Sequence, residues 1–435
     1  MNRWQELYQQ RLTTPDGAVN LIENGESILV GLINSVPPAL VSAVARKAQR
    51  GELTESTFMD ALNMRCADIY SPEVQGKIKY LCGYAGLNRS LLMNSAVIDL
   101  QPIRFMDARR NLQQIIDVLM MTVSPMDKNG YFSTGINPDY ICGLAKSGNK
   151  YKILLEVNEK MPRTFGNNYI HISEADAIVE NNLPLLALPK IPISKEDEAI
   201  GNYIAEEIPN GACIQLGIGG VPNAVGMALE NKKDLSVHSE MICDSMMDLY
   251  YKGVITSRKK TYMPGKWMGT FVLGSQELYD FVAENPLIEM WEANIVNDPR
   301  IACLNDNLMS INTTLEIDLS GQCSSETIAY RQYSGIGGQA DFVAAAWYSN
   351  GGKSFIATYS TYTDKSGELK SKIVPTITSF CTINRVDIQY VVTEYGIAYL
   401  KDRSMSQRTR ELVRLAHPDF RDWLIFEAKR LGFTQ

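Results

Sequence analysis

Short apolar runs that alternate with helical patterns are the feature that most constrains the fold of this chain. Ser27 to Gly31, Ile115 to Val123 and Lys152 to Val157 are typical of buried strands. Pro37-Pro38 precedes a helical pattern from Ala39 to Gln49. Proline is tolerated at a helix start because the N–H that it lacks would have no partner within the helix there. Strands separated by helical crossovers pack into parallel sheets. The sequence therefore predicts an α/β fold with mainly parallel sheets.

A proline-rich segment divides this pattern. Residues 183–194 hold three prolines, which helix interiors and central strands do not tolerate, and a helix from Glu196 to Glu207 follows. We interpret the segment as a linker. A chain of 435 residues is also long enough for more than one domain. We expect an N-terminal domain over residues 1–190 and a C-terminal domain over residues 195–435.

Charge and composition exclude several functions. The chain has 42 Lys and Arg against 49 Asp and Glu, a net charge of −7, which disfavours nucleic-acid binding but allows a local pocket for a small anion. Its eight cysteines form no Cys-x-x-Cys pair and its three histidines are far apart, so no metal site is predicted. No apolar run is long enough to span a membrane and the start of the chain is polar, so we expect a cytoplasmic protein.

A glycine-rich turn is the clearest local motif. A predicted strand, Ala212 to Leu216, leads into Gly217, Ile218, Gly219 and Gly220, and a predicted helix runs from Val221 to Leu229. Backbone N–H groups at such a turn converge on an anion, and glycine lets the backbone approach closely. The turn can serve as a phosphate cradle, as an oxyanion hole for a thioester or anhydride, or as a plain tight turn. Proline at position 222 excludes the dinucleotide Gly-x-Gly-x-x-Gly pattern.

A carboxylate follows the next predicted strand. Leu235 to Val237 begins that strand, and Glu240 comes soon after it, where open α/β sheets bind ligands. From the pattern alone, Glu240 can be a nucleophile, a general base or a surface charge. His238 nearby is more typical of a hydrogen-bonded structural residue.

A second glycine loop lies 118 residues after the first, at Gly335 to Gly338. The preceding residues, 326–331, are ambiguous between helix and strand. Gln339 and Asp341 can bind polar ligand groups or cap the start of a helix.

These motifs, in this order, resemble the acetyl-CoA hydrolase/CoA-transferase family, particularly its 4-hydroxybutyrate and butyrate CoA-transferases. The resemblance covers essentially the whole chain. It rests on residues 124–132, 156–163, 215–222, 238–241, 335–342, 371–375 and 391–398.

The resemblance implies two open α/β domains of the CoA-transferase type, in a homodimer or larger assembly. The N-terminal domain would serve the acid substrate, and the C-terminal domain would carry the catalytic glutamate and the CoA loops. By position in the motifs, Glu240 corresponds to the family nucleophile and Gly217 to Val221 correspond to the CoA and oxyanion loop. Gly338 and Gln339 correspond to the second CoA-contacting loop.

The predicted function is transfer of CoA from an acyl-CoA to a carboxylate such as 4-hydroxybutyrate, butyrate, acetate, succinate or itaconate. The reaction would run by ping-pong chemistry through a glutamyl-CoA thioester on Glu240. CoA is then a substrate, and no permanently bound cofactor is needed. Lys372 is a candidate partner for the CoA phosphates, with a solvated surface lysine as the alternative. The rival functions are acyl-CoA hydrolysis at the same site and non-catalytic CoA binding.

Overall fold

The computed structural model describes residues 2–94, 97–148, 150–189, 191–217 and 219–434. The chain divides into two compact units. One comprises residues 1–188, 268–296 and 332–337, and the other comprises residues 189–267, 297–331 and 338–435.

The first unit is built on a seven-stranded sheet in which every neighbouring pair is parallel. In its central strand, Ser27–Val30, the last three residues are apolar and buried. Leu29 of this strand pairs with Met59 on one side and with Leu119 on the other. Strands buried on both faces have this continuous apolar character. In spatial order the strands are Ala177–Glu180, Lys152–Val157, Val118–Val123, Ser27–Val30, Thr57–Ala61, Lys79–Tyr84 and Ile98–Leu100.

Helices of the first unit cover this sheet. Helix Pro38–Gln49 buries Leu40, Val41 and Val44 in one hydrophobic core with Ile28 of the central strand. The α-helices of the unit are Arg3–Arg11, Pro15–Val19, Pro38–Gln49, Arg89–Asn94, Ala108–Leu112, Ile141–Ala145, Gln276–Val282 and Ala293–Val296. Short 3-10 helices lie at Ile33–Ser35, Asp68–Tyr70, Phe105–Asp107 and Ile172–Glu174. Further short strands are Tyr131–Ser133, Phe165–Gly166, Tyr169–His171, Phe271–Val272 and Ile288–Met290.

The second unit is built on a six-stranded sheet that is parallel except for its last pair. In spatial order the strands are Ser236–Val237, Cys213–Leu216, Leu308–Thr313, Lys353–Ala357, Tyr390–Thr393 and Gly396–Tyr399. The first five strands point the same way, so their carboxyl ends lie along one edge of the sheet. That edge is where open α/β sheets bind ligands.

Helices of the second unit pack on the sheet through buried leucines such as Leu412, Leu415 and Leu424. The α-helices are Lys195–Glu207, Gly220–Ala228, Asp244–Tyr251, Pro299–Ala302, Gln339–Tyr348, Met405–Leu415 and Pro418–Arg430. Further short strands are Met241–Ile242, Glu316–Asp318, Cys323–Ser324, Thr327–Ile328, Thr361–Thr363, Leu369–Ser371 and Ile373–Val374. The strands Trp267–Gly269 and Arg331–Gln332 each contain a boundary between the two units. Within the described residues, no helix combines the length and apolar character needed to cross a bilayer.

The predicted fold class is confirmed, and most predicted elements shift by only one or two residues. The strand expected from Ile115 begins instead at Val118, because Ile115 lies in a turn and the Asp117 carboxylate accepts the Ser27 N–H at 2.9 Å. The ambiguous residues 326–331 form neither a helix nor a long strand. Ala329 and Tyr330 have positive φ angles of 48° and 64° and make a tight turn after the strand Thr327–Ile328.

Candidate active site

The candidate site lies at the carboxyl edge of the sheet in the second unit. The first glycine loop follows the strand Cys213–Leu216, and Glu240 follows Ser236–Val237. Two further parallel strands end nearby: Tyr359 is the second residue after Lys353–Ala357, and Glu394 directly follows Tyr390–Thr393. The parallel topology therefore gathers residues that are far apart in the sequence.

The Glu240 side chain contacts Asn297 and Gly338, two residues that are distant from it in the sequence. The side-chain Nδ2 of Asn297 donates a hydrogen bond to Glu240 Oε2 at 2.5 Å, and Asn297 is fully buried. Gly338 packs so tightly here that a Cβ added to it would overlap both Glu240 Oε2 and Asn297 Nδ2. Only glycine leaves room for the carboxylate at this position.

The environment of Glu240 changes its acidity. Glu240 as a residue is partly exposed, yet burial of its carboxyl group raises the pKa from 4.5 to about 7. The hydrogen bond from Asn297 acts in the opposite direction, because it stabilises the charged form. Near neutral pH the carboxyl group is thus divided between an ionised form and a protonated form.

The first glycine loop begins beside this carboxylate. Ser239 Oγ donates to the carbonyl of Leu216 at 3.3 Å, and these two residues directly precede Glu240 and Gly217. Gly219 caps helix Gly220–Ala228 with a φ of 128°, a backbone conformation that favours glycine. Val221 lies buried in the first turn of that helix, and Ile218 lies outside the described residues.

The second glycine loop ends at Glu240. Gly338 is the N-cap of helix Gln339–Tyr348, so Gln339 and Asp341 lie inside the first turn and are not its cap. Asn297 Nδ2 also approaches Asp341 Oδ2 at 3.5 Å. The side chains of Gln339 and Asp341 are both buried, and Gln339 Nε2 has no hydrogen-bond partner among the described residues.

The earlier residues of that loop belong to the first unit. A Cβ added to Gly335 would lie 2.6 Å from the Gly83 carbonyl oxygen and 2.8 Å from Tyr84 Cδ2. The Gly337 carbonyl accepts the Phe105 N–H at 3.2 Å. Close backbone packing therefore accounts for Gly335.

Lys372 is partly buried between two short strands rather than fully solvated. Its ammonium group lies 5.3 Å from the centre of the Tyr359 ring. Burial lowers the pKa of Lys372, and the Glu394 carboxylate counteracts this effect. Glu394 in turn accepts hydrogen bonds from the backbone N–H and hydroxyl of Ser360.

His238 has a structural environment. It is fully buried, its Nδ1 lies 3.0 Å from Asn305 Nδ2, and its ring packs near Tyr262 and Phe342. The motif containing Glu240 is thereby anchored in the core.

Sequence reasoning missed Asn297, which is 57 residues from Glu240 in the chain. Asn297 stands directly before Asp298-Pro299, and Asp298 caps the following helix by accepting the Arg300 N–H. A polar pair before a proline is typical of a helix start, which conceals any separate role for Asn297.

The arrangement offers a carboxylate whose charge can change near neutral pH, held by one amide and placed against a helix N-terminus. Such a helix end favours a nearby anion. A second helix begins at Gly220 with Gly219 as its N-cap, and the backbone N–H groups of such a helix N-terminus can bind an anion. This combination suits covalent acyl chemistry on a carboxylate.

Comparison with known proteins identifies the family of the chain. The family model for the acetyl-CoA hydrolase/transferase N-terminal domain matches residues 1–188, and the model for the C-terminal domain of the same family matches residues 274–428.

Individual relatives match nearly the full chain. A succinyl-CoA:cyclohexane-1-carboxylate CoA transferase from Geobacter metallireducens is 40% identical, covering 99% of this chain and 97% of the relative. A 4-hydroxybutyrate coenzyme A transferase from Clostridium kluyveri is 38% identical, covering 98% and 99%. Among solved structures, RipA from Yersinia pestis is 39% identical with a TM-score of 0.92, and the match covers 100% of both chains.

Proposed function

The chain belongs to the acetyl-CoA hydrolase/transferase family and is a CoA-transferase, and we propose that it exchanges CoA between small carboxylic acids through a glutamyl-CoA thioester on Glu240. The observation that carries the proposal is the Glu240 carboxylate, held by Asn297 and packed against Gly338. A surface charge needs no buried amide donor and no glycine beside it.

The first half-reaction consumes the acyl-CoA. An oxygen of the Glu240 carboxylate attacks the thioester carbonyl carbon, the carbon–sulfur bond breaks, and an acyl-glutamyl anhydride and CoA thiolate result. The thiolate then attacks the glutamyl carbonyl carbon, the anhydride carbon–oxygen bond breaks, and the first acid leaves. Glu240 now carries CoA as a thioester, and a second acid reverses the two steps.

Several residues support these steps. The backbone N–H groups of Gly219 and Gly220 would stabilise the oxyanion, at about 3 kcal/mol for each donor. Asn297 orients the Glu240 carboxylate and favours its ionised, nucleophilic form. Gly338 and Gln339 would contact CoA beside the carboxylate, and Lys372 would meet a CoA phosphate. Binding of the CoA handle away from the reacting carbon would supply further rate enhancement.

The acid substrates are proposed by analogy with the named relatives. One relative acts on cyclohexane-1-carboxylate and another on 4-hydroxybutyrate, so we propose short-chain or small cyclic carboxylates. The N-terminal domain would receive the acid. The enzyme would work in the cytoplasm as a homodimer or larger assembly, which sedimentation of the purified protein would test.

Incubation with acetyl-, butyryl- or succinyl-CoA, with and without a panel of acids, tests the proposed function. Appearance of the acceptor's CoA ester supports the proposal. Release of CoA without an acceptor would identify a hydrolase that uses the same site, and binding of CoA without turnover would identify a non-catalytic protein.

A further inference from the structure

Two residues, Tyr359 and Asp197, link Lys372 to the first glycine loop in the second unit. Its ammonium group lies over the Tyr359 ring, and the Tyr359 hydroxyl donates to Asp197 Oδ1 at 2.7 Å. The Asp197 carboxylate lies against Gly220, since a Cβ added to that glycine would be 2.5–2.7 Å from its carboxylate atoms. A continuous path of contacts therefore runs from Lys372 to the first turn of helix Gly220–Ala228.

Both carboxylate oxygens of Asp197 accept hydrogen bonds. Asp197 is 2% exposed, and its Oδ2 accepts both the backbone N–H and the hydroxyl of Ser194 at 2.9 Å. The remaining oxygen, Oδ1, receives the Tyr359 hydroxyl. Burial raises the pKa of Tyr359, and the Asp197 carboxylate raises it further, so the hydroxyl stays protonated as a donor.

The two helices involved are closely packed. A Cβ added to Gly201 would lie 2.7–3.0 Å from the backbone and side chain of Ala224. Helix Lys195–Glu207 thus holds helix Gly220–Ala228 at two points, Gly201 against Ala224 and Asp197 against Gly220. A displacement of Asp197 would move the turn that carries Gly219 and Gly220.

We propose that Tyr359 and Asp197 are positioning residues that couple Lys372 to the glycine loop. The inference rests on the proposed function, in which Lys372 meets a CoA phosphate and the loop stabilises the oxyanion. A phosphate bound at Lys372 restrains the ammonium group over the Tyr359 ring. Tyr359 then holds Asp197, and Asp197 holds the first turn of the loop helix. Binding of the nucleotide end of CoA would thereby help to hold the oxyanion loop in place during the reaction and so increase kcat.

A comparison of two substrates tests this coupling. One is the acyl-CoA that the enzyme accepts, and the other is the same acyl group on N-acetylcysteamine, which carries no phosphate. Tyr359→Phe keeps the ring under Lys372 and removes the hydroxyl group that donates to Asp197. Tyr362→Phe, at an exposed position of a neighbouring strand, is the matched control.

With acyl-CoA, Tyr359→Phe should lower kcat about tenfold, the effect of losing one hydrogen bond to a charged group, while KM changes less than about twofold. With the N-acetylcysteamine thioester, kcat/KM should stay within about twofold of wild type. Lys372→Ala combined with Tyr359→Phe should have the same kcat as Lys372→Ala alone, because the first change already breaks the path.

The failures of the two proposals are distinguishable. Equal losses with both substrates, an unchanged kcat with acyl-CoA, or additive effects in the double variant would overturn the coupling while wild-type transfer persists. Absence of CoA transfer by the wild-type enzyme would overturn the proposed function and, with it, the coupling.

Discussion

Replacing Glu240 by glutamine should stabilise the protein more at pH 8 than at pH 5. The pKa of Glu240 is raised from 4.5 to about 7 in the folded protein, chiefly by burial. Well below pH 4.5 the Glu240 carboxyl group is protonated in both the folded and unfolded states, so it does not lower the stability of the wild type. As the pH rises through about 7, the folded state must accept a buried charge, and stability falls.

The size of this effect follows from the shift in pKa. The difference between 4.5 and about 7 corresponds to about 3 kcal/mol, of which about 2–3 kcal/mol develops between pH 5 and pH 8. This is an upper figure, because the partly exposed residue retains some hydration. Glutamine keeps an oxygen for the Asn297 donor but carries no charge at either pH.

Thermal unfolding of both proteins at the two pH values measures the effect. The difference in Tm between Glu240→Gln and wild type should grow by about 2–3 °C from pH 5 to pH 8, at about 1 °C per kcal/mol for a chain of 435 residues. Asp60 and Asp139 also have pKa values raised to about 7 by burial, but both proteins contain them, so their contribution cancels. Glu206→Gln, at an exposed helix position, is the control. A Tm difference that stays constant with pH would refute the assigned environment of Glu240.

Three further substitutions test other residues of the proposed site. Gly338→Ala should lower kcat at least about 100-fold, because the added Cβ would overlap Glu240, whereas Gly83→Ala should be tolerated because its Cβ meets only ordinary contacts; equal turnover would show that the site adjusts. Asn297→Ala should shift the pH dependence of kcat/KM toward higher pH, since the donor that favours the ionised carboxylate is lost; a midpoint at or below the wild-type value would contradict this role. Lys372→Ala should raise the KM for acyl-CoA about tenfold at low salt and less at high salt; an unchanged KM at both would exclude a phosphate contact.

Local patterns were sufficient to predict the parallel strands and the helices between them. The apolar run Lys152–Val157 is a strand over the same residues as predicted, because a strand buried on both faces has a continuous apolar sequence. The helix predicted from Glu196 begins one residue earlier, after the Ser194 cap. Such elements are determined by neighbouring residues, so one sequence is enough to find them.

Contacts between distant segments could not be predicted in this way. Glu240 follows the strand Ser236–Val237, whereas Gly338 is the N-cap of the helix Gln339–Tyr348. The two residues are adjacent only because the fold brings these distant segments together. Asn297 carried the pattern of a residue before a helix cap. Tyr359 and Asp197 are joined by one hydrogen bond across 162 residues. Likewise, nothing in the local pattern of residues 268–296 indicates that they pack within the first unit.

Detection of a glutamyl-CoA adduct on Glu240 would be the decisive evidence for the proposed mechanism. Wild-type protein mixed with acyl-CoA, without an acceptor acid, should gain the mass of CoA minus one water on the peptide that contains Glu240. A carboxylate acceptor should discharge this adduct and hydroxylamine should cleave it, and initial rates should show parallel double-reciprocal lines. An unmodified Glu240 peptide after rapid quench, together with intersecting lines, would contradict the account and indicate that Glu240 acts as a general base.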